Sequence, residues 1–196
     1  MALMNYTYAV GIDEVGRGPL AGPVAVCAIM ARATLDISKA FPGVKDSKLM
    51  TPKAREKVFE RCSTAAVAYA VAYGSVEEIE TRGITYAVHQ ALTAALAELR
   101  PRHAYLYLDG LLKAPDEYPQ ETVIHGDARI PIVSLASVIA KVSRDALMVD
   151  LAREYPMYGF EKHKGYGTRA HYAALATYGP SPVHRKTFLS RIGEVV

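Results

Sequence analysis

Asp13 and Glu14 stand side by side where an apolar run, Tyr8-Ala9-Val10-Gly11-Ile12, gives out, and Gly16-Arg17-Gly18 follows at once. Acids at the end of a buried strand cost desolvation energy unless something positive sits with them. A glycine-flanked arginine brings main chain close to a ligand and supplies a cation for phosphate. Asp109 also follows an apolar strand-like run, and Asp127 lies just ahead of a long helix. Four carboxylates drawn together repel and resist ionisation. Two divalent ions offset that charge, and all-oxygen ligands suit Mg²⁺ or Mn²⁺. Such a cluster points to phosphoryl-transfer chemistry in which two metals clamp the attacking and leaving oxygens.

Each acid also has a plain structural role open to it. Asp109-Gly110 is a strong hairpin-turn dipeptide. Asp127 can sit favourably near a helix N-terminus, and Asp13 and Glu14 can pair with Arg17 at the surface. Gly16-x-Gly18-x-x-Ala21 formally meets a relaxed dinucleotide fingerprint, but that site needs a helix opening at the glycines. Pro19, Gly22 and Pro23 break the region, Ala25-Val26-Cys27-Ala28-Ile29-Met30 looks like a strand, and the preceding acids repel a pyrophosphate.

The elements that must carry these residues are legible in outline. Tyr6 to Asp13 and Val24 to Ala31 read as strands bounded by Gly and Pro. Neighbouring strand side chains point to opposite faces, so Asp13 and Glu14 share a site only if the strand ends or twists there. Thr51 caps a helix with Pro52 at its first position, running to about Ser63, and Val67 to Tyr73 fits a strand. Ser75-Val76-Glu77-Glu78 is a capping box opening a short helix; Ile84 to Leu99 forms a longer one that Pro101 stops. Tyr105 to Asp109 and Gln120 to Ile124 read as strands, and Leu135, Val138, Ile139 and Val142 mark a long helix towards Glu154. A paired start followed by alternating strands and helices predicts an α/β fold.

Bulk properties agree with one folded domain. At 196 residues the chain can bury about 70% of its unfolded surface. No apolar run is long enough to cross a bilayer, and Met1 to Tyr8 lacks a signal-peptide pattern. Cys27 and Cys62 form no disulfide or zinc framework, so a cytoplasmic protein is expected. Net charge is only +3, yet Lys162 to Arg191 holds six Lys or Arg, three His and no acid. That field favours an anionic partner, the alternative being a solvated basic face.

The residues carry a family resemblance over nearly the whole chain. Gly11 to Val24 (GIDEVGRGPLAGPV), Asp46-Ser47-Lys48, Tyr107 to Gly110 (YLDG), Gly126-Asp127-Ala128 and Ser134 to Asp145 (SLASVIAKVSRD) resemble ribonuclease HII, as do Tyr158 to Thr168 and Gly179 to Phe188. The resemblance implies an RNase H-like mixed sheet flanked by helices (about 1–155) with a helical, basic C-terminal extension (about 156–196). It implies a nuclease that cuts the RNA strand of RNA–DNA hybrids and nicks 5′ of single ribonucleotides in duplex DNA, leaving 3′-OH and 5′-phosphate. The family's metal-binding acids fall on Asp13, Glu14, Asp109 and Asp127, with two Mg²⁺ or Mn²⁺ ions. Its sugar-reading motif falls on Gly16, Arg17 and Gly18, and its junction-sensing tyrosine on Tyr166; Lys48 reaches a phosphate.

Lys162, Lys164, Arg169, Arg185 and Lys186 are expected on the phosphate backbone. His163, His171 and His184 lack zinc-ligand spacing and are expected on a basic surface. Tyr155, Tyr158 and Tyr178 are expected in the core, and Arg144-Asp145 in packing or a salt bridge. Leu49-Met50 stands where many relatives have a second lysine, and His125 where they often have lysine, as site support or as a simple loop residue. The segment after Phe188 shows no clamp-binding pattern, and a monomer is expected. Another RNase H-like nuclease, such as a resolvase or transposase core, and a catalytically silent nucleic-acid binder are the alternatives.

Overall fold

The computed structural model describes residues 5–44 and 47–189. Asp46, Arg191 and the segment after Leu189, on which the clamp-binding expectation bears, lie outside the described residues. Five strands form one mixed sheet in the order β3-β2-β1-β4-β5: β1 (Tyr8–Val15), β2 (Val24–Arg32), β3 (Val67–Gly74), β4 (Ala104–Asp109) and β5 (Gln120–Val123). The first three are antiparallel, whereas β4 pairs parallel with both β1 and β5. The helices are α1 (Ile37–Ala40), α2 (Pro52–Cys62), α3 (Val76–Arg82), α4 (Ile84–Leu99), α5 (Gly126–Arg129), α6 (Pro131–Glu154), α7 (Phe160–His163), α8 (Arg169–Tyr178) and α9 (Lys186–Leu189).

Alternation in β1 sorts the two cores. Val10 and Ile12 face α4 with Leu106 and Leu108, while Ala9 faces α6 with Cys27 and Ile29. Gly11 lies under α6: an added Cβ would sit 2.2 Å from the Ile132 carbonyl oxygen, so only glycine lets the helix lie this close. A third cluster joins α6 to the C-terminal segment through Leu20, Met148, Phe160 and Leu175.

Capping chemistry sets the helix starts. The Ser75 hydroxyl accepts from the Glu78 amide at 3.0 Å while the Glu78 carboxylate accepts from the Ser75 amide at 2.7 Å, the reciprocal pair foreseen for α3. Thr51 caps α2 ahead of Pro52. No helix opens at the glycines after β1; the chain turns straight into β2, which removes the dinucleotide reading. Among the described residues no helix is long and apolar enough to cross a membrane.

Candidate active site

β1 does not end at Asp13 but pairs with β2 as far as Val15↔Ala25. β4, however, leaves β1 after Ile12↔Leu108. Asp13 and Glu14 therefore project from opposite faces just where the sheet opens on one side. That opening, rather than a strand end, lets both carboxylates line the same cavity. Asp109 closes β4 next to it, and its Oδ1 accepts from the Asp127 amide at 3.2 Å, which ties the start of α5 to the end of β4.

One cavity of about 530 Å³ is lined by Asp13, Glu14, Asp109 and Asp127 together with Gly16, Arg17, Gly18, Lys48 and Tyr166. Three separate segments thus deliver the four acids foreseen from sequence. Among the described residues, no three or more His, Cys, Asp or Glu side chains close into a ready-made metal cage.

Their electrostatics nevertheless describe an electron-rich site short of positive charge. Burial, then repulsion from Glu14 and Asp109, holds the Asp13 carboxyl well above the usual range, against hydrogen bonds from Ser137 and the Glu14 amide. Burial raises Glu14 to about 7 and Asp109 adds to it, while Arg17 and Lys48 oppose. Arg17 lies 3.5 Å from Glu14 and Lys48 lies 3.8 Å from Asp127. Glu14 Oε2 is buried without a hydrogen-bond partner among the described residues. A buried, unpaired carboxylate oxygen among other carboxylates fits a hard divalent cation.

The opposite wall is built from cations turned inward. Arg185 is fully buried (0% exposed) and cannot reach a phosphate, which corrects the expectation placed on it. Its guanidinium donates to the carbonyls of Gly16 (2.7 Å), Arg17 (3.0 Å) and Gly22 (2.7 and 2.9 Å). Arg144, also 0% exposed, donates to Pro23, Ala21 and Lys164 carbonyls at 2.9–3.1 Å. Gly16 has φ +100°, and a Cβ there would lie 2.2 Å from Arg144 Nε, so no other residue fits.

Carbonyl and N–H point opposite ways across a planar trans peptide. With the Gly16 and Arg17 carbonyls turned in to Arg185, the Arg17 and Gly18 amides are turned out, onto exposed residues that line the cavity. Burial, then the nearby Arg144, lowers Arg185 to about 9, which still leaves it charged at neutral pH. Two buried cations satisfied by carbonyls alone place fixed positive charge beneath the turn.

Tyr166, 42% exposed, closes the cavity with its ring 4.0 Å from where a Gly18 Cβ would stand and the ring centre 5.9 Å from Lys141 Nζ. Lys162, Arg169 and Lys186 are exposed. Lys164 is half-buried, with its ammonium on the Glu161 carbonyl. His171 and His184 are buried at 0% and 1%, not on a basic surface, because each ring is enclosed with Tyr158 and Phe160. Tyr158 is a core aromatic, but Tyr178 is 60% exposed at the end of α8. Asp145 pairs with Lys141 at 2.7 Å and Arg55 at 3.9 Å, a structural salt bridge. His125 is an exposed residue with φ +58° leading into α5.

Sequence reasoning passed over Lys141, Ser137 and Ser47, which also line the cavity. The signal was available: Ser134, Ser137 and Lys141 recur at helical spacing along the otherwise apolar first half of α6, and Arg144 continues the series.

Known proteins match along the same length. The family profile described as Ribonuclease HII matches residues 10–191. The ribonuclease HII of Burkholderia thailandensis is 43% identical over 178 residues, spanning 91% of this chain and 81% of that one. The crystal structure of ribonuclease H2 from Pyrococcus horikoshii OT3 superposes with TM-score 0.77 at 28% identity, covering 95% of this chain and 97% of that one. The Mn²⁺ complex of Bst-RNase HIII gives 0.67 at 18% identity over 95% of this chain and 66% of that one, a likeness of fold. Matched along the stretch that contains all four acids and the glycine turn, the chain belongs to the ribonuclease HII family, nucleases that hydrolyse the RNA strand of RNA–DNA hybrids.

Proposed function

We propose that this nuclease also nicks duplex DNA 5′ of a single embedded ribonucleotide, using Asp13, Glu14, Asp109 and Asp127 to hold two divalent ions. The observation that carries the reading is that one cavity is lined by those four carboxylates, the Gly16-Arg17-Gly18 turn and Tyr166. Bound Mg²⁺ or Mn²⁺ would neutralise the carboxylates and supply water of lowered pKa. The oxygen of water joins the phosphorus 5′ of the ribonucleotide, and the bond to the preceding 3′-oxygen breaks. The products are a 3′-OH and a 5′-phosphate.

The protein's own part is reading the sugar. A 2′-OH can donate and accept, and it alone separates a ribonucleotide from DNA at one position. The outward amides of Arg17 and Gly18 have no protein acceptor among the described residues and offer two donors to that hydroxyl. The flat face of Tyr166 receives the less bulky deoxyribose on the far side of the junction. Lys48 and Lys164, with Lys162, Arg169 and Lys186, hold the phosphate backbone. In this reading residues 1–155 carry the chemistry and residues 156–196 form the substrate-holding extension. Acting on embedded ribonucleotides would place the protein in ribonucleotide excision repair.

An end-labelled duplex with one ribonucleotide tests this directly. Mg²⁺ or Mn²⁺ should give one nick 5′ of the ribonucleotide, with a 3′-OH end, and chelator should abolish it. Cleavage of the same duplex lacking the ribonucleotide would favour a resolvase-like activity. Binding without cleavage would favour a silent binder.

A further inference from the structure

Three histidines, His163, His171 and His184, stack and hydrogen-bond behind the Tyr166 backbone, and none of them lines the cavity. His163 and His171 are stacked with ring centroids 4.4 Å apart, and His171 Nε2 lies 2.9 Å from His184 Nε2. Among the described residues none of the three rings has a carboxylate partner within ion-pair distance, so there is no acid to explain the cluster by charge pairing.

The partners set the tautomers. His184 Nδ1 receives the Ser181 amide at 2.9 Å, so it is an acceptor and the ring proton sits on Nε2. That Nε2–H must donate to His171 Nε2. His171 then carries its own proton on Nδ1, which lies 3.0 Å from the Tyr166 carbonyl oxygen. The donors run in one direction: Ser181 amide, His184, His171, Tyr166 carbonyl. Burial is the first cause that lowers both imidazoles, His184 to about 4, and so keeps the rings neutral as this order requires.

We infer that His171 and His184 are positioning residues for Tyr166, a directional hydrogen-bond relay that orients the peptide carrying the junction-facing ring. The inference rests on the proposed role of Tyr166. Apolar side chains of similar size would fill the same space, so what the relay adds is direction rather than volume. The Tyr166 carbonyl also accepts from the Thr168 amide at 2.8 Å, and the Tyr166 amide donates to the His163 carbonyl at 2.9 Å. The peptide bearing the ring is thereby fixed from both sides. Gly165 completes the arrangement: it has φ +84°, and a Cβ there would press on the Ala21 carbonyl at 2.5 Å, so this segment lies directly against the glycine turn.

The test uses the full chain and two substrates, a duplex with one ribonucleotide and a hybrid with a uniform RNA strand. The readout is the ratio of kcat/KM between them. His171→Leu should lower that ratio about tenfold, and His171→Asn, whose amide nitrogen stands near the Nδ1 position, should recover most of it. Tyr166→Ala is measured alongside. If Tyr166→Ala loses the preference while folded His171→Leu keeps it, the relay is refuted and the tyrosine reading survives. If Tyr166→Ala keeps the preference, both fall. Should His171→Leu fail to fold, ring-nitrogen NMR of the unaltered protein decides. Near pH 7 His171 should be neutral with its proton on Nδ1 and His184 neutral with its proton on Nε2; the reverse pair, or an imidazolium, overturns the inference.

Discussion

The two walls of the cleft are built on opposite terms. On one side Asp13 and Glu14 are buried among like charges, and Glu14 Oε2 has no hydrogen-bond partner among the described residues. On the other side Arg144, Arg185, His171 and His184 are just as buried, but their side-chain donors meet named acceptors. The acid wall holds like-charge repulsion that Arg17 and Lys48 offset in part and that a proton or a bound cation relieves further, so its charge state is left open. The basic wall is finished within the protein, so its amides and its tyrosine are aimed before anything binds. Chemistry that depends on charge is left open, whereas recognition that depends on shape is preorganised.

The contrast can be broken from either side. The largest effect belongs to Asp109→Asn, which should cut metal-dependent cleavage by about a thousandfold, several kcal/mol of transition-state stabilisation, with the fold retained. Near-normal turnover by a folded Asp109→Asn protein would remove Asp109 from the site. Arg185→Met should do the reverse. Carbonyls of Gly16, Arg17 and Gly22 lose their donor, at a cost of about 3–5 kcal/mol in urea unfolding. A loss below about 1 kcal/mol would show that something else holds the turn.

Acidification separates the walls further, because they titrate in opposite senses. Folded His184 protonates near 4 instead of 6.5, so the unfolded chain binds its proton first as pH falls. Its contribution is complete above about 6.5 and is lost as pH drops through about 4, on the order of 3 kcal/mol. Glu14 is raised from 4.5 to about 7, so its contribution is complete below 4.5 and lost as pH rises through about 7. In Glu14→Gln the acid-side loss should therefore stand out more steeply than in the unaltered protein, measured as urea midpoints between pH 7 and 4. Equal slopes would count against the opposition.

The smallest effect concerns the exposed lysines. Lys162→Gln or Lys186→Gln should each reduce the slope of log affinity against log salt by about 1 for hybrid binding. An unchanged slope would take that lysine off the phosphate backbone.

Much of the acid wall was legible in the chain because its residues announce themselves. Carboxylates after apolar strands and a glycine-flanked arginine each have a local reason to stand where they do, as does, away from the site, the Ser75–Glu78 pair that caps α3. The basic wall was not legible. A run of Lys, Arg and His reads the same whether a given side chain faces water or carbonyls, and Arg185 and Lys186 are neighbours that point opposite ways. Only the tertiary partners of Arg185, more than 160 residues away, settle its direction. The polar stripe of Ser137 and Lys141 on α6 lay between: visible by periodicity, yet masked by the apolar residues around it in the first half of the helix.

The link between Arg185 and Gly16 spans 169 positions of the chain. On a ribosome the turn at Gly16 emerges early and must wait, its carbonyls solvated, until the segment bearing Arg185 has been translated. A nascent chain therefore carries its acids long before its sugar-reading edge is locked, and the enzyme matures only after synthesis has passed Arg185.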